Sequence, residues 1–157
     1  MSERLKQNPF IIRVYGLFLN KKGQVLISDE YFLDTKMTKF PGGGLEFGEG
    51  THDCLKREAI EEFGQEIEVL DHFYTTDYYQ KALFYMDAQL FSIYYYARFK
   101  EEIKFPVSDK PFDFEEIKNG SQSFRWADIN KSLIEMLNFP IDKKAAGLLI
   151  DKIENSK

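Results

Sequence analysis

Residues 43–65 read GGLEFGEGTHDCLKREAIEEFGQ, a glycine-rich segment followed by a segment with helical spacing. In a helix, Glu58, Glu61 and Glu62 stand at i, i+3 and i+4, so their carboxylates lie on one face. Like charges at that spacing destabilise an isolated helix. A divalent cation is a natural partner for this face, because carboxylate oxygens suit a hard ion such as Mg²⁺ that also binds substrate phosphates.

The same residues carry a longer motif with fixed spacing. Its glycine and charged positions, with gaps of five, seven, two and one residues, are Gly43, Glu49, Arg57-Glu58, Glu61-Glu62 and Gly64. This pattern resembles the signature box of the Nudix hydrolases, and every polar and glycine position of it is matched. Two positions differ, because Ala59 is smaller and Gln65 more polar than the aliphatic residues that the family favours. We expect these two departures to affect packing rather than chemistry.

The resemblance implies a fold and a reaction class. The implied fold class is α/β, the Nudix-type α/β/α sandwich, in which a mixed sheet has helices on both faces and the box forms a loop, a helix and a second loop. The implied function is that of a metal-dependent hydrolase of a nucleoside diphosphate linked to another group, with Mg²⁺ or Mn²⁺ as cofactor. In this chemistry metal ions neutralise phosphate charge and lower the pKa of an attacking water.

The resemblance also assigns roles within the box. Glu58 and Glu62 are the implied metal ligands, and the backbone carbonyl of Gly43 is a further ligand. Glu61 either binds metal or acts as the catalytic base, so Glu58 and Glu61 are the catalytic candidates. Glu49 and Arg57, the remaining charged positions, are expected to lock the loop to the helix through an ion pair rather than to touch substrate.

Each of these charged groups has a simpler alternative. Charge-rich helices are often solvated faces, and Lys56 and Arg57 could serve as partners for the glutamates. In some Nudix enzymes the base comes from a late loop, where this chain offers Asp113, Glu115 and Glu116. The alternative for those three residues is a solvated acidic loop.

The rest of the chain alternates between strand and helix patterns. We predict a turn at 20–23 and strands at 10–19, 24–28, 67–74, 90–100 and 123–126. The box helix is predicted to begin at the N-cap Thr51 and to end at the C-cap Gly64. Asp128 is predicted to cap a helix that Pro140 ends, and the last helix to begin near Asp142. This order predicts a mixed sheet between helices, in a single domain over residues 1–157.

Composition limits the classes of partner and compartment. A net charge of −5 lacks the basic footprint of a nucleic-acid-binding protein, so the expected partner is a small nucleotide-type molecule. Residues 10–19 are apolar but too short to span a bilayer and lack a signal-peptide cleavage site, so we expect no membrane association. Cys54 is the only cysteine, so no internal disulfide can form, and it is most simply a small core residue. Because no internal disulfide and no membrane association are expected, we expect a cytoplasmic protein.

Substrate choice is the least determined feature of the sequence. The segment between the two central predicted strands is rich in aromatic residues, and Tyr78, Tyr79 and Tyr85 are the candidates for stacking on a nucleobase. Their alternative role is packing in the core or in a homodimer. ADP-ribose pyrophosphatases often carry a proline shortly after the box, and this chain has none between Gly64 and Pro106. Nucleoside triphosphates, nucleotide sugars and dinucleoside polyphosphates all remain candidate substrates.

Two other function classes share the fold that the resemblance implies. One is a non-catalytic sensor of a nucleotide or sugar-nucleotide, which usually adds a DNA-binding domain and can lose box carboxylates. Here the carboxylates are intact and no basic helix-turn-helix segment is visible. The other is a prenyl diphosphate isomerase, which needs more Cys and His ligands than one Cys and two His can supply.

Overall fold

The computed structural model describes residues 9–84 and 87–157. Within them the strands are β1 (Phe10–Phe18), β2 (Gln24–Phe32), β3 (Thr35–Lys39), β4 (Gly42–Gly44), β5 (Ile67–Thr75), β6 (Gln89–Phe99) and β7 (Ser121–Asp128). The helices are α1 (Thr51–Phe63), α2 (Lys131–Met136) and α3 (Pro140–Asn155). No helix in this part of the chain is both long enough and apolar enough to cross a membrane.

The strands form two sheets. The four-stranded sheet has the order β4-β1-β6-β5, and it is mixed because β1 and β6 run parallel while the other pairs are antiparallel. The remaining strands form an antiparallel sheet in the order β3-β2-β7. The predicted mixed sheet is therefore present, accompanied by a second, smaller sheet that the sequence pattern did not separate from it.

Alternation along β1 divides the core into two layers. Val14 and Phe18 pack with the buried residues of α1, which are Cys54, Leu55, Ala59 and Phe63. Tyr15 and Leu17 point the other way, since successive strand residues face opposite sides, and pack with Leu133, Leu137, Ile141 and Leu149 from the α2 and α3 region. The sheets thus lie between α1 and the C-terminal helices, which confirms the predicted α/β/α sandwich.

The N-cap of helix α1 lies one residue earlier than predicted. Its N-cap is Gly50 rather than Thr51, and Asp53 in the first turn accepts a hydrogen bond from the Gly50 amide at 3.1 Å. The Thr51 hydroxyl instead shares a hydrogen bond with the Tyr95 hydroxyl at 2.7 Å. The predicted C-cap is confirmed, because Gly64 adopts a left-handed φ of 67° that favours glycine.

The C-terminal helix boundaries also differ from the prediction. Asp128 belongs to β7, and the cap of α2 is Asn130, whose side chain accepts a hydrogen bond from the Ser132 amide at 2.9 Å. Pro140 begins α3 instead of ending the helix before it. Proline is tolerated at the first helical position because its missing N–H needs no partner there, so the same residue fits either side of a helix boundary.

Candidate functional site

Backbone glycines bring the box loop against helix α1. A Cβ on Gly43 would lie 2.1 Å from Glu58 Oε1, and one on Gly42 would lie 2.1 Å from the Val14 carbonyl oxygen. Gly42 also has a φ of 149°, which L side chains rarely adopt. The absence of side chains here lets β4 pair with β1 and lets the Glu58 carboxylate approach the loop backbone closely.

Arg57 connects the loop to the outer side of α1. Its guanidinium donates to both oxygens of Glu49, from Nε at 3.0 Å and from Nη2 at 2.8 Å, and Nη2 also donates to the Gly44 carbonyl at 2.9 Å. Its Nη1 donates to Glu58 Oε1 and Glu61 Oε1, each at 3.1 Å. The Arg57 hydrogen bonds lower the pKa of Glu49 to about 2, which fixes that carboxylate as an anion.

A second charged cluster lies on the inner side of α1, around Glu62. Gln122 on β7 donates from Nε2 to Glu62 Oε1 at 3.2 Å, to Ser28 Oγ at 2.9 Å and to Glu30 Oε2 at 3.3 Å. Lys39 Nζ lies 2.9 Å from Glu30 Oε2 and 3.4 Å from the Gly42 carbonyl oxygen. Glu62 Oε2 is buried and has no hydrogen-bond partner among the described residues.

Burial sets the protonation of this inner cluster. It raises the pKa of Glu62 to about 7, with Glu30 adding to the rise and Lys39 opposing it. Burial also raises the pKa of Glu58. Burial by itself would lower the pKa of Lys39, but Glu30 and Glu62 outweigh it and leave that pKa raised, so Lys39 stays charged at neutral pH.

The box carboxylates offer a partial set of metal ligands. In the described ranges, 9–84 and 87–157, no three His, Cys, Asp or Glu side chains converge closely enough to hold a metal ion. Glu61 is exposed on the Arg57 side, away from the buried Oε2 of Glu62. However, Mg²⁺ often binds through only one or two carboxylates and keeps several waters. Glu62, with its buried oxygen that has no partner among the described residues, and Glu58, packed against Gly43, supply two such carboxylates.

A cavity lined by residues of both sheets, here called the interior cavity, opens beside this cluster. Arg13, Tyr15, Glu30 and Lys39 line its polar end. Phe32, Phe84 and Phe139 line another part of the cavity. The centroid of the Phe84 ring lies 6.0 Å from that of Phe32 and 6.4 Å from that of Phe139. The cavity therefore joins charged groups to an aromatic wall, which is the combination that a small ligand with a planar and an anionic part needs.

Asp142 is a buried carboxylate in the wall of the interior cavity. It accepts a hydrogen bond from the Tyr94 hydroxyl, while its Oδ2 has no partner among the described residues. Burial raises its pKa to about 6, against the opposing influence of Lys39 and Arg13. The cavity thus contains an unpaired acceptor as well as its cationic groups.

A more open depression lies on the other side of Gln122. It is lined by Glu62, Gln122 and part of the segment 105–124, including the three late-loop candidates Asp113, Glu115 and Glu116. Asp113 accepts a hydrogen bond from the Ser108 hydroxyl at 2.7 Å. The structure therefore brings the late-loop carboxylates to the same depression as Glu62, but not into contact with it.

The aromatic candidates for substrate binding are placed differently from one another. Tyr78 is 39% and Tyr79 69% exposed, and neither is among the residues that line the interior cavity. Tyr85 lies outside the described residues. Phe84, from the same segment, does line the cavity and is half-exposed.

Several site residues escaped the sequence analysis, and some left a signal. Arg13 interrupts the apolar row on β1, where Ile11 and Tyr15 face the same cavity. Asp142 shares the buried face of α3 with Ala145 and Leu149, so a charged residue at an apolar position marks it. The residues Glu30, Lys39 and Gln122 carried no such mark, because each lies on a separate strand and only the pairing of β2 with β3 and β7 unites them.

Gln65, the polar departure from the box pattern, has a structural role. Its Nε2 donates to the Glu102 carbonyl at 3.0 Å and its Oε1 accepts from the Lys104 amide at 2.7 Å. This buried side chain therefore holds the start of the connection that carries the late-loop acids. An aliphatic residue could not make these two hydrogen bonds.

Comparison with known proteins agrees with the geometry. The NUDIX domain family model matches residues 9–144. No curated protein matches the chain. The solution structure of the E. coli ORF135 protein is similar with a TM-score of 0.69 and 16% identity, over 92% of this chain and 91% of that chain.

Two further solved structures cover most of the chain at low identity. The MutT protein from Methanosarcina mazei Go1 has a TM-score of 0.66 and 19% identity, over 96% of this chain and 98% of that chain. An ADP-ribose pyrophosphatase from Streptococcus suis has a TM-score of 0.57 and 12% identity, over 90% of each chain. At these identities the likeness shows the fold alone. The family model, however, spans most of the sequence and the whole box, so the chain belongs to the Nudix hydrolase family.

Proposed function

We propose that the protein is a metal-dependent hydrolase that cleaves the phosphoanhydride bond of a nucleoside diphosphate linked to another group. The observation that carries this proposal is the buried Oε2 of Glu62, which has no partner within residues 9–84 and 87–157, on the same helix as Glu58, whose carboxylate packs against Gly43. A folded protein leaves a buried carboxylate oxygen without a partner only at a cost, and a bound cation would remove that cost.

Glu58, Glu62 and the Gly43 carbonyl are the proposed holders of Mg²⁺ or Mn²⁺, with Glu61 as an additional ligand or as the catalytic base. A divalent cation there would neutralise the charge of the diphosphate and lower the pKa of the attacking water. The Arg57–Glu49 pair holds the loop against the helix, so the proposed ligands keep a defined separation.

The choice of base is between two groups of carboxylates. Glu61 is exposed and accepts hydrogen bonds from Arg57, which orient its carboxylate. Asp113, Glu115 and Glu116 line the depression that Glu62 borders, so a water held there would lie near the late-loop carboxylates, whereas Glu61 lies on the Arg57 side of the helix. Replacement of each in turn distinguishes them, because loss of the base lowers kcat most.

The interior cavity is proposed to hold the nucleoside end of the substrate. Its aromatic wall of Phe32, Phe84 and Phe139 supplies stacking surface for a nucleobase. Tyr78, Tyr79 and Tyr85 remain proposed contributors from the same segment as Phe84. None of these aromatic contacts distinguishes one nucleobase from another, so no particular nucleobase is proposed.

The test is a turnover assay with a panel of nucleoside triphosphates, nucleotide sugars, ADP-ribose and dinucleoside polyphosphates. Products are separated chromatographically, with Mg²⁺ present or with excess chelator. We expect cleavage of at least one substrate that stops in chelator and returns with Mg²⁺. Turnover that continues in chelator would contradict the metal requirement. Tight binding of a nucleotide without any turnover would favour the non-catalytic sensor.

A further inference from the structure

Arg13 lies in an unusual electrostatic position for an arginine inside a protein. Its side chain leaves β1 toward the interior cavity, and its Nε donates to the Tyr15 hydroxyl at 2.6 Å. Among the described residues, no carboxylate forms an ion pair with its guanidinium. Arginines inside proteins usually pair with a carboxylate, whereas the remaining donors of Arg13 form no ion pair in the part of the chain that the structure describes.

Lys39 adds a second positive charge to the same end of the cavity. Its side chain is only 6% exposed, its Nζ lies 5.5 Å from the centre of the Tyr15 ring, and it contacts Glu30. Glu30 therefore forms an ion pair with Lys39, whereas Arg13 forms none among the described residues. Asp142, whose Oδ2 has no partner among those residues, lines the same cavity, so the cavity contains two cations and two carboxylates.

The position of these cations relates the cavity to the proposed metal ligands. Arg13 pairs in register with Gly44 on β4, and Lys39 contacts the Gly42 carbonyl, so both lie next to the loop that holds Glu58. The aromatic wall of the cavity is formed by other elements, including Phe84 and Phe139. A ligand with a planar group on that wall would place an attached anionic group toward Arg13.

We propose that Arg13 and Lys39 form an anion subsite that binds the phosphoryl group attached to the substrate moiety held in the interior cavity. The proposal rests on the proposed function, and it adds that this phosphoryl group is recognised by the protein itself without metal. Arg13 can present two parallel N–H groups to phosphoryl oxygens, whereas Lys39 supplies a point charge already oriented by Glu30. A nucleoside monophosphate should therefore bind the metal-free protein.

The test is equilibrium binding by isothermal titration calorimetry in excess chelator. The probes are inorganic phosphate and the four common nucleoside monophosphates, each compared with its own nucleoside. We expect at least one monophosphate to bind wild-type protein about tenfold or more tightly than its nucleoside. Arg13→Gln should remove about a tenfold to hundredfold share of monophosphate affinity, as expected for hydrogen bonds to a charged group, with nucleoside affinity unchanged.

Two further variants control this result. Arg13→Lys keeps the charge but loses the paired donors, so it should restore part of the affinity that Arg13→Gln loses. Arg98→Gln, which removes an exposed arginine paired with Glu68, should bind as wild type does. Equal affinity of wild type for monophosphate and nucleoside, no binding of any probe at millimolar concentration, or full monophosphate affinity in Arg13→Gln would overturn the subsite.

The turnover assay separates this proposal from the proposed function. Metal-free phosphate binding without any hydrolysis leaves the subsite standing and contradicts the enzyme. Metal-dependent hydrolysis without any preference for phosphorylated ligands in chelator leaves the enzyme standing and contradicts the subsite.

Discussion

Glu49 and Glu62 belong to the same box, yet their surroundings move their pKa values in opposite directions. Arg57 donates to both oxygens of Glu49, and its hydrogen bonds lower the pKa of that carboxylate to about 2. Glu62 has one oxygen that is buried and unpartnered among the described residues, and burial raises the pKa of this carboxylate to about 7. The carboxylate on the outer side of α1 thus has a full set of partners, whereas the carboxylate on the inner side keeps one oxygen without a partner among the described residues.

This contrast predicts that the carboxylates on the two sides of α1 contribute to different properties of the protein. A carboxylate with its full set of partners gains little from a further ligand, so changes there should act mainly on folding. A buried carboxylate without partners is costly in the free protein and gains most when a ligand arrives. We therefore expect variants on the inner side to change kinetics and binding, and variants on the outer side to change stability.

The largest expected effect is that of Glu62→Gln. The substitution keeps the shape and the Gln122 contact region but removes the negative charge proposed to hold the metal, so kcat should fall by about a hundredfold or more. The folded state should persist, because the lost charge was only partly compensated. Steady-state kinetics and a chemical denaturation curve measure the two effects.

Glu66→Gln, at an exposed position just after α1, is the matched control for Glu62→Gln and should retain wild-type kcat. A wild-type rate in Glu62→Gln would show that the inner side is only a charged surface.

The next effect concerns the interior cavity. Phe84→Ala removes part of the aromatic wall, so KM should rise by about tenfold to a hundredfold if that wall stacks on the substrate. The change in kcat should be smaller, because stacking acts on substrate and transition state alike. Tyr78→Ala and Tyr79→Ala test the two exposed tyrosines in the same assay. An unchanged KM in Phe84→Ala, together with a raised KM in the tyrosine variants, would show that the nucleoside binds outside the interior cavity.

A pH-dependent effect is expected from Asp142. Its folded pKa of about 6 lies above the ordinary 3.8, so the folded protein binds this proton more tightly than the unfolded chain does. Ionisation therefore costs stability as the pH rises from about 4 through about 6. Asp142→Asn removes this cost, so its free energy of unfolding relative to wild type should increase by about 2 kcal/mol between pH 4 and pH 7.5.

Urea denaturation at several pH values checks this, with Asp151→Asn on the exposed side of α3 as control. A difference between Asp142→Asn and wild type that stays constant with pH would contradict the raised pKa.

The smallest effect belongs to the outer side. The lowered pKa of Glu49 means that its anionic form stabilises the fold above about pH 4.5 and that this contribution fades as the pH falls toward 2. Glu49→Gln should therefore be less stable than wild type at neutral pH, and the difference should shrink in acid. Thermal unfolding across this range measures it. A difference in stability between wild type and Glu49→Gln that grows as the pH falls would contradict the lowered pKa of Glu49.

Fold and site were predictable from the sequence to different depths. The box helix and its Gly64 cap followed from local spacing. The sandwich followed from the order of strands and helices and from the resemblance of the box to that of the Nudix hydrolases. Thr51, Asp128 and Pro140 were misassigned because several residues near a helix end satisfy the same capping chemistry. Arg13 and Asp142 were visible only as charges at apolar positions. The Glu30, Lys39 and Gln122 cluster depends on strand pairing between distant segments, which local patterns do not encode.

The most direct test of the central claim is a Mn²⁺ titration followed by electron paramagnetic resonance, without substrate. Wild type should bind Mn²⁺, and Glu58→Gln and Glu62→Gln should each weaken binding by about tenfold or more, while Glu66→Gln binds as wild type does. No Mn²⁺ binding by wild type up to millimolar concentration, or unchanged affinity in both variants, would contradict the assignment of the inner side of α1 as a metal site.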